Sequence, residues 1–283
     1  MSQSWKPTRK LKNKKDNTVA LKINTSLACW VGFTHEQGMR AAYDEQMADT
    51  LTEPLWGALH LEHVQVVPQS RGLLTEEMAL GLRDAYPDTQ FRLHANVRVK
   101  AERCVYDISS YPEAKDWFKQ AARVQHLIGG KVYSAHSGFR LDCDLETMFG
   151  YAKDLSDLFG QPVAIEGQYP DKHDGYLLSY WYEYQALLES GLPFALDLSH
   201  LNIVARQSRE RNLTLTKELL ASENCLEVHV SHNNGTGDWH QVCERGSRPW
   251  WYDALIESDT QAVIFTEGNR RARERNLQQN TKQ

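Results

Sequence analysis

Short apolar runs recur along the chain at Val19–Ile23, Ala58–Leu61, Phe91–Leu93, Val132–Ala135, Pro162–Ile165, Pro193–Leu196, Leu226–Val228 and Ala262–Phe265. They are rich in β-branched and aromatic residues and shorter than a helix, which is the pattern of buried strands. Between them, apolar residues return at helical spacing, most plainly over Glu36–Leu51, Glu76–Tyr86, Glu113–Leu127, Leu145–Phe159, Tyr180–Leu188, Leu213–Leu220 and Trp250–Ile256. Gly129, Gly160 and Gly191 each close one of these stretches, as expected just past a helix C-terminus. Strands alternating with helices at intervals of roughly 30 to 40 residues predict parallel βαβ units. A doubly wound open sheet would alternate similarly, but eight strands in 283 residues fit an α/β fold closed into a (β/α)₈ barrel. No low-complexity linker divides residues 18–269, so one domain is expected there. It is preceded by a basic tail, residues 1–17, and followed by a charged tail, residues 270–283.

The residues that end the apolar runs carry the chemistry. Gln90-Phe-Arg-Leu leads to His94, Lys131-Val-Tyr-Ser-Ala to His136, and Pro162-Val-Ala-Ile to Glu166. Pro193-Phe-Ala-Leu leads to Asp197, Cys225-Leu-Glu-Val to His229, and Ala262-Val-Ile-Phe-Thr is followed by Glu267. Six successive predicted strands thus finish on His, Asp or Glu, and in a parallel barrel all these ends open on one mouth. Carboxylates ending apolar strands are costly to bury unless paired or metal-bound, and divalent cations would also relieve their mutual repulsion. Imidazole with carboxylate suits zinc, iron or manganese better than calcium or magnesium. Any one of these residues is as readily a structural histidine or a helix-capping aspartate; the series points to metal. Asp197-Leu-Ser-His200 adds a ligand just past the sixth strand, and the loop ending Asp238-Trp-His240 offers two groups that face one way in an extended stretch.

Composition adds exclusions. Apolar residues make up 41% of the chain and charged residues 24%, enough for a core without disulfides. The five cysteines form no CxxC pair, which favours reduced thiols. No apolar stretch approaches the roughly 20 residues of a membrane span, and none follows the basic residues of Met1–Thr18 as in a secretion signal. A cytoplasmic protein is expected. A net charge of −5 gives no general attraction to nucleic acid.

The set Glu166, Asp197-x-x-His200, His229, Asp238-x-His240 and Glu267, preceded by His94 and His136, resembles the xylose isomerase-like TIM barrels, which include the endonuclease IV family. The resemblance runs from the first predicted strand to the eighth. It implies a three-metal site: Glu166 bridging two ions, His94 and His136 completing one position, and Asp197, His229 and Glu267 completing the second. His200, Asp238 and His240 would hold the third. It also implies catalytic roles for Glu166, Glu267 and His200. The chain departs from the endonucleases where DNA would be gripped, with Gly-Gln-Tyr-Pro after Glu166 and Gln241-Val-Cys-Glu-Arg after His240, so DNA is not favoured.

Metal-assisted hydrolysis of a phosphoester, with about two or three zinc, iron or manganese ions per chain, is the first reading. Arg98, Arg140, Arg245 and Arg248 are its candidate phosphate contacts. The alternatives are a sugar isomerase or epimerase using one metal at Glu166, Asp197, His229 and Glu267, a multinuclear non-haem iron oxidase acting on a peptide, and a metal-free scaffold. The partner is accordingly a sugar-like, phosphorylated or peptide substrate. Trp250 and Trp251 could wall a substrate site or pack beneath it. Of Glu62 and His63, adjacent in a strand, only one can face the barrel interior, where His63 could orient a ligand. His232 could support His229, whereas His35, His60, His126 and His173 read as surface or packing residues.

Overall fold

The computed structural model describes residues 21–67, 72–95, 97–102 and 106–271. Eight parallel strands close into a barrel: β1 Ile23–Ser26, β2 His60–Val66, β3 Gln90–His94, β4 Tyr133–His136, β5 Val163–Glu166, β6 Phe194–Asp197, β7 Cys225–Val230 and β8 Val263–Thr266. Each pairs with its sequence neighbours, and β1 joins β8 on one side and β2 on the other. The expected barrel and its closure are thus both present. A short antiparallel ribbon, Thr52–Glu53 with Gly57–Ala58, precedes β2.

Helices follow in order: α1 His35–Met47, α2 Glu76–Ala85, α3 Lys115–Leu127, α4 Leu145–Phe159, α5 Trp181–Ser190, α6 Leu198–Ser208, α7 Leu213–Ala221 and α8 Tyr252–Glu257. Local chemistry sets their ends. Thr34 caps α1 in a reciprocal capping box with Gln37, and Asp144 caps α4 through the Thr147 amide at 2.8 Å. Gly160 and Gly191 end α4 and α5 in the left-handed region at φ 59° and 65°.

Strand periodicity divides the side chains. Ile165, Leu196 and Val228 join the apolar layer under the helices. Val132, Ala164 and Ala195 instead form a small separate cluster inside the barrel, with Leu226 packed against it. Glu166 and Asp197 stand two residues beyond Ala164 and Ala195, so they share the inward face at the C-terminal rim.

Three expectations need correction. The second strand is not Ala58–Leu61 but His60–Val66, because Gly57–Ala58 belongs to the ribbon. Its polar members Glu62, His63 and Gln65 disguise a strand whose Leu61, Val64 and Val66 are buried in the main apolar core. The first strand begins at Ile23, and the Val19–Ala20 part of that prediction lies outside the described residues. Helix α6, absent from the plainest amphipathic stretches, starts directly after Asp197 with no intervening loop.

Among the described residues no helix is long and apolar enough to cross a membrane. Cys29, Cys143, Cys225 and Cys243 are unpaired thiols, and Cys104 lies outside the described residues. Most of the two expected tails is also undescribed. Arg270 and Arg271, at the start of the second, lie against the Trp30 and Phe33 rings, and Arg270 also pairs with Glu45.

Candidate metal centre

Glu166, the last residue of β5, is 1% exposed and sits at the centre of the rim. Its Oε2 lies 3.1 Å from His94 Nε2 and 3.3 Å from His136 Nε2. Its Oε1 lies 3.1 Å from His229 Nδ1. The strand register accounts for this meeting, since His136 is aligned with Glu166, and Asp197 with His229. Residues separated by up to 135 positions in the chain, His94 to His229, thereby come into ring contact at 4.7 Å between centroids.

Four sets of ligand atoms converge closely enough to hold a cation: His94, His136 and Glu166; Asp197, His229 and Glu267; Glu166, Asp197 and His200; and His94, Glu227 and His229. The first two coincide with two positions expected from the sequence. The third expected position, His200, Asp238 and His240, does not converge as one such set among the described residues. Asp238 Oδ2 instead lies 2.6 Å from His240 Nε2 and 3.5 Å from His200 Nε2, so Asp238 links the two imidazoles. His240 Nδ1 in turn lies 3.6 Å from Glu267 Oε2. His240 holds φ at 45°, a strained value for a residue with a Cβ, and its carbonyl accepts from the Asn269 amide at 2.7 Å.

Asp197 has two roles. Its Oδ1 accepts from the Ser199 and His200 amides at 2.6 and 3.1 Å, capping α6, while its Oδ2 faces His200 Nε2 at 3.5 Å. His200 is held from behind, where its Nδ1 lies 2.8 Å from the Gly167 carbonyl and donates to it, which turns Nε2 to the site. Gly167 permits this approach, because a Cβ there would run into the Tyr184 ring.

The electrostatics are those of a cluster short of positive charge. Burial would raise Glu166, yet His94, His136 and His229 hold its carboxyl well below the usual carboxylate range. Burial lifts Glu267 to about 7 against the pull of His229 and His240. Burial disfavours charge on His229 and His200, but the carboxylates around each outweigh it and hold both well above the ordinary imidazole value. Burial likewise opposes charge on His240, which Asp238 nevertheless brings to about 9. His94 goes the other way, down to about 3, because burial dominates. The carboxylates thus favour protons on His200, His229 and His240, in the place that cations would take.

The residues fit such cations on structural grounds. Glu166 Oε2 is fully buried and faces two ring nitrogens, yet makes no properly directed hydrogen bond to either. An oxygen so placed is expensive unless it ligates something.

The sequence reading missed several supporting groups. Glu227 stands two residues before His229 in one strand and Ser134 two before His136, so period-two alternation could have found both. Gln65 reaches to 2.8 Å from His229 Nε2, but the strand expected at Ala58–Leu61 stops short of it. Asp107, 3.6 Å behind His136 Nδ1, follows no regular strand and gave no signal. Glu62 points outward to Lys22. His63 is partly buried beside Arg92 and Glu227, but its register with Gln90, the first residue of β3, puts it at the end of the barrel away from the rim. His232 is bridged to Gln241 and belongs to none of the converging sets. Trp251 is buried and stacks on Trp56 at 6.3 Å, and Trp250 donates to Asn202, so both serve packing.

No protein-family model matches the chain, and no curated protein matches it. Solved structures do. A D-tagatose 3-epimerase-like protein aligns with TM-score 0.59 and 15% identity over 92% of this chain and 96% of its own. An AP endonuclease of family 2 from Brucella melitensis aligns with TM-score 0.56 and 14% identity over 88% and 93%. The IOLI protein, solved with a zinc atom, aligns with TM-score 0.56 and 11% identity over 88% and 90%. At such identities the likeness is one of fold, and that fold is the expected (β/α)₈ barrel.

Proposed function

We propose that this xylose isomerase-like barrel is a metal-dependent enzyme that moves a proton on a small sugar-like substrate, as isomerases and epimerases do. Glu166, Asp197, His229 and Glu267 would hold the principal ion, and His94 and His136 a second one sharing Glu166. The observation that carries this reading is the approach of two carboxylates to one ligand atom: Glu166 Oε1 at 3.1 Å and Glu267 Oε1 at 4.0 Å from His229 Nδ1. A divalent ion there would act as a Lewis acid on a substrate carbonyl and so acidify the neighbouring C–H. Glu166 and Glu267 are then the groups placed to take that proton and return it. His200, fixed through Gly167, offers Nε2 to a substrate oxygen. The Tyr169 ring, 4.9 Å from His200 and 6.1 Å from Tyr176, gives an aromatic wall for the apolar face of a sugar.

Phosphoester hydrolysis, first in the sequence reading, becomes second because three of its four candidate phosphate contacts, all but Arg98, are committed elsewhere. Arg140 forks onto Glu183 at 2.7 and 2.9 Å, Arg245 donates to the Pro54 carbonyl, and Arg248 pairs with Asp253. What still favours it is the His94–His136 pair on Glu166, which the one-metal account of an isomerase leaves unused. The likeness to sugar epimerases supports the first reading and the likeness to an AP endonuclease the second.

Incubating zinc- or manganese-loaded protein with a panel of ketoses in D2O separates the two. Proton transfer places deuterium beside the carbonyl, and Glu267→Gln abolishes it. No exchange with any ketose, together with cleavage of simple phosphoesters, would overturn the first reading in favour of the second.

A further inference from the structure

Beneath the rim lies a buried polar layer that neither of the two cation positions sharing Glu166 nor the proposed chemistry uses. Its centre is Glu227, fully buried inside the barrel. Glu227 Oε1 accepts from Arg92 Nη1 at 3.2 Å, and the same guanidinium nitrogen is held on the Leu226 carbonyl at 3.0 Å. Glu227 Oε2 accepts from Ser134 Oγ at 2.8 Å and lies 3.2 Å from His229 Nε2. Ser134 Oγ in turn lies 2.9 Å from His94 Nδ1.

The directions of these bonds follow from valence. Ser134 has one proton, and the carboxylate can only accept, so the hydroxyl donates to Glu227 and accepts from His94 Nδ1–H. His94 then has its lone pair on Nε2, the nitrogen facing Glu166. By the same reasoning His229 Nε2–H donates to Glu227, leaving Nδ1 for the rim. The Gln65 amide lies 2.8 Å from His229 Nε2, and its Oε1 has no partner of its own. Turned about its last bond, that amide presents oxygen to the same N–H, which then has an acceptor in both Gln65 and Glu227.

We infer that Glu227, anchored by Arg92, is a positioning residue that sets the tautomer of both His94 and His229, directly for His229 and through Ser134 for His94. One carboxylate thereby prepares a ligand for each of the two cation positions that share Glu166. Carboxylates behind metal-binding imidazoles fix ring orientation and raise ligand basicity, and losing one typically weakens metal binding by roughly 10- to 100-fold. The inference rests on the metal assignment made above, but not on the reaction.

Zinc titrations of the metal-free full-length protein against a chromophoric chelator test it. Glu227→Gln, which puts an amide where an acceptor is needed, is expected to weaken both the His94-side and His229-side positions by about 10-fold or more. Ser134→Ala is expected to weaken one position and leave the other near wild type. In nitrogen-correlated spectra of the zinc-loaded wild type, His229 is expected to ligate through Nδ1 and His94 through Nε2. Wild-type zinc affinity at both positions in Glu227→Gln, or ligation by His229 Nε2, would overturn the inference and leave the metal assignment standing. A wild type that binds no zinc would overturn the metal assignment itself. If Glu227→Gln fails to fold, Ser134→Ala and the ring spectra of wild type decide the matter without it.

Discussion

Glu166 is the residue on which the site turns, because both of its oxygens are in use: one between His94 and His136, the other against His229. Glu166→Gln keeps the shape but gives up the charge and half the ligand capacity at two positions. It is expected to lower the metal content of purified protein more than His240→Ala does, since His240 touches only the Asp238–Glu267 edge. Equal metal-to-chain ratios in the two variants would count against a bridging role. Gly167 offers a second test. Its missing Cβ lets Tyr184 pack against the loop and donate to the Gln168 carbonyl at 2.7 Å. Gly167→Ala should destabilise the fold by about 1–3 kcal/mol through overpacking, and should weaken the hold on His200. Urea unfolding checks the first effect, and an unchanged midpoint would refute it. The residues on strand ends were legible from sequence, because polar groups that terminate apolar runs stand out. The groups behind them were not. Glu227 and Arg92 lie within runs, where a buried charge looks like an outward-facing one until the partner strand is known.

At the scale of elements, β6 and α6 meet in one aspartate. Reading Asp197 as a cap and as a ligand were competing explanations in the sequence, and the structure leaves room for both: Oδ1 caps α6, while Oδ2 faces His200. This is also why α6 was missed: a helix that begins on the last residue of a strand leaves no loop to mark its start. The two functions separate by substitution. Asp197→Asn retains a capping oxygen, so the metal-free variant should unfold within about 0.5 kcal/mol of wild type while binding metal poorly. Asp197→Ala should lose metal and a further 1 kcal/mol or so of stability. Chemical denaturation in the presence of a chelator distinguishes them, and equal stability of Asn and Ala variants would remove the capping role. The misplaced second strand has a similar origin. In a barrel, the inward face of a strand near the site is polar, so β2 alternates in the way an exposed strand does.

At the scale of the whole molecule, closure of eight parallel strands brings six separate strand ends within reach of one another, and no local feature of the sequence states that they meet. Closure also buries groups far from the rim. His35, at the start of α1, is fully buried, and burial, with Arg98 nearby, lowers its pKa from 6.5 to about 4. The unfolded chain therefore takes up this proton at a higher pH than the folded one. Stability from this group is complete above pH 6.5 and is lost as pH falls from 6.5 towards 4, by roughly 3 kcal/mol in all. Unfolding free energies of wild type and His35→Asn across that range should converge as pH falls, and parallel curves would contradict the assignment.

The most direct measurement is elemental analysis of protein purified without oxygen and reconstituted with zinc, iron(II) or manganese(II). Cations shared around Glu166 call for about two or three ions per chain. Wild-type protein that remains essentially metal-free after reconstitution with all three would contradict the account.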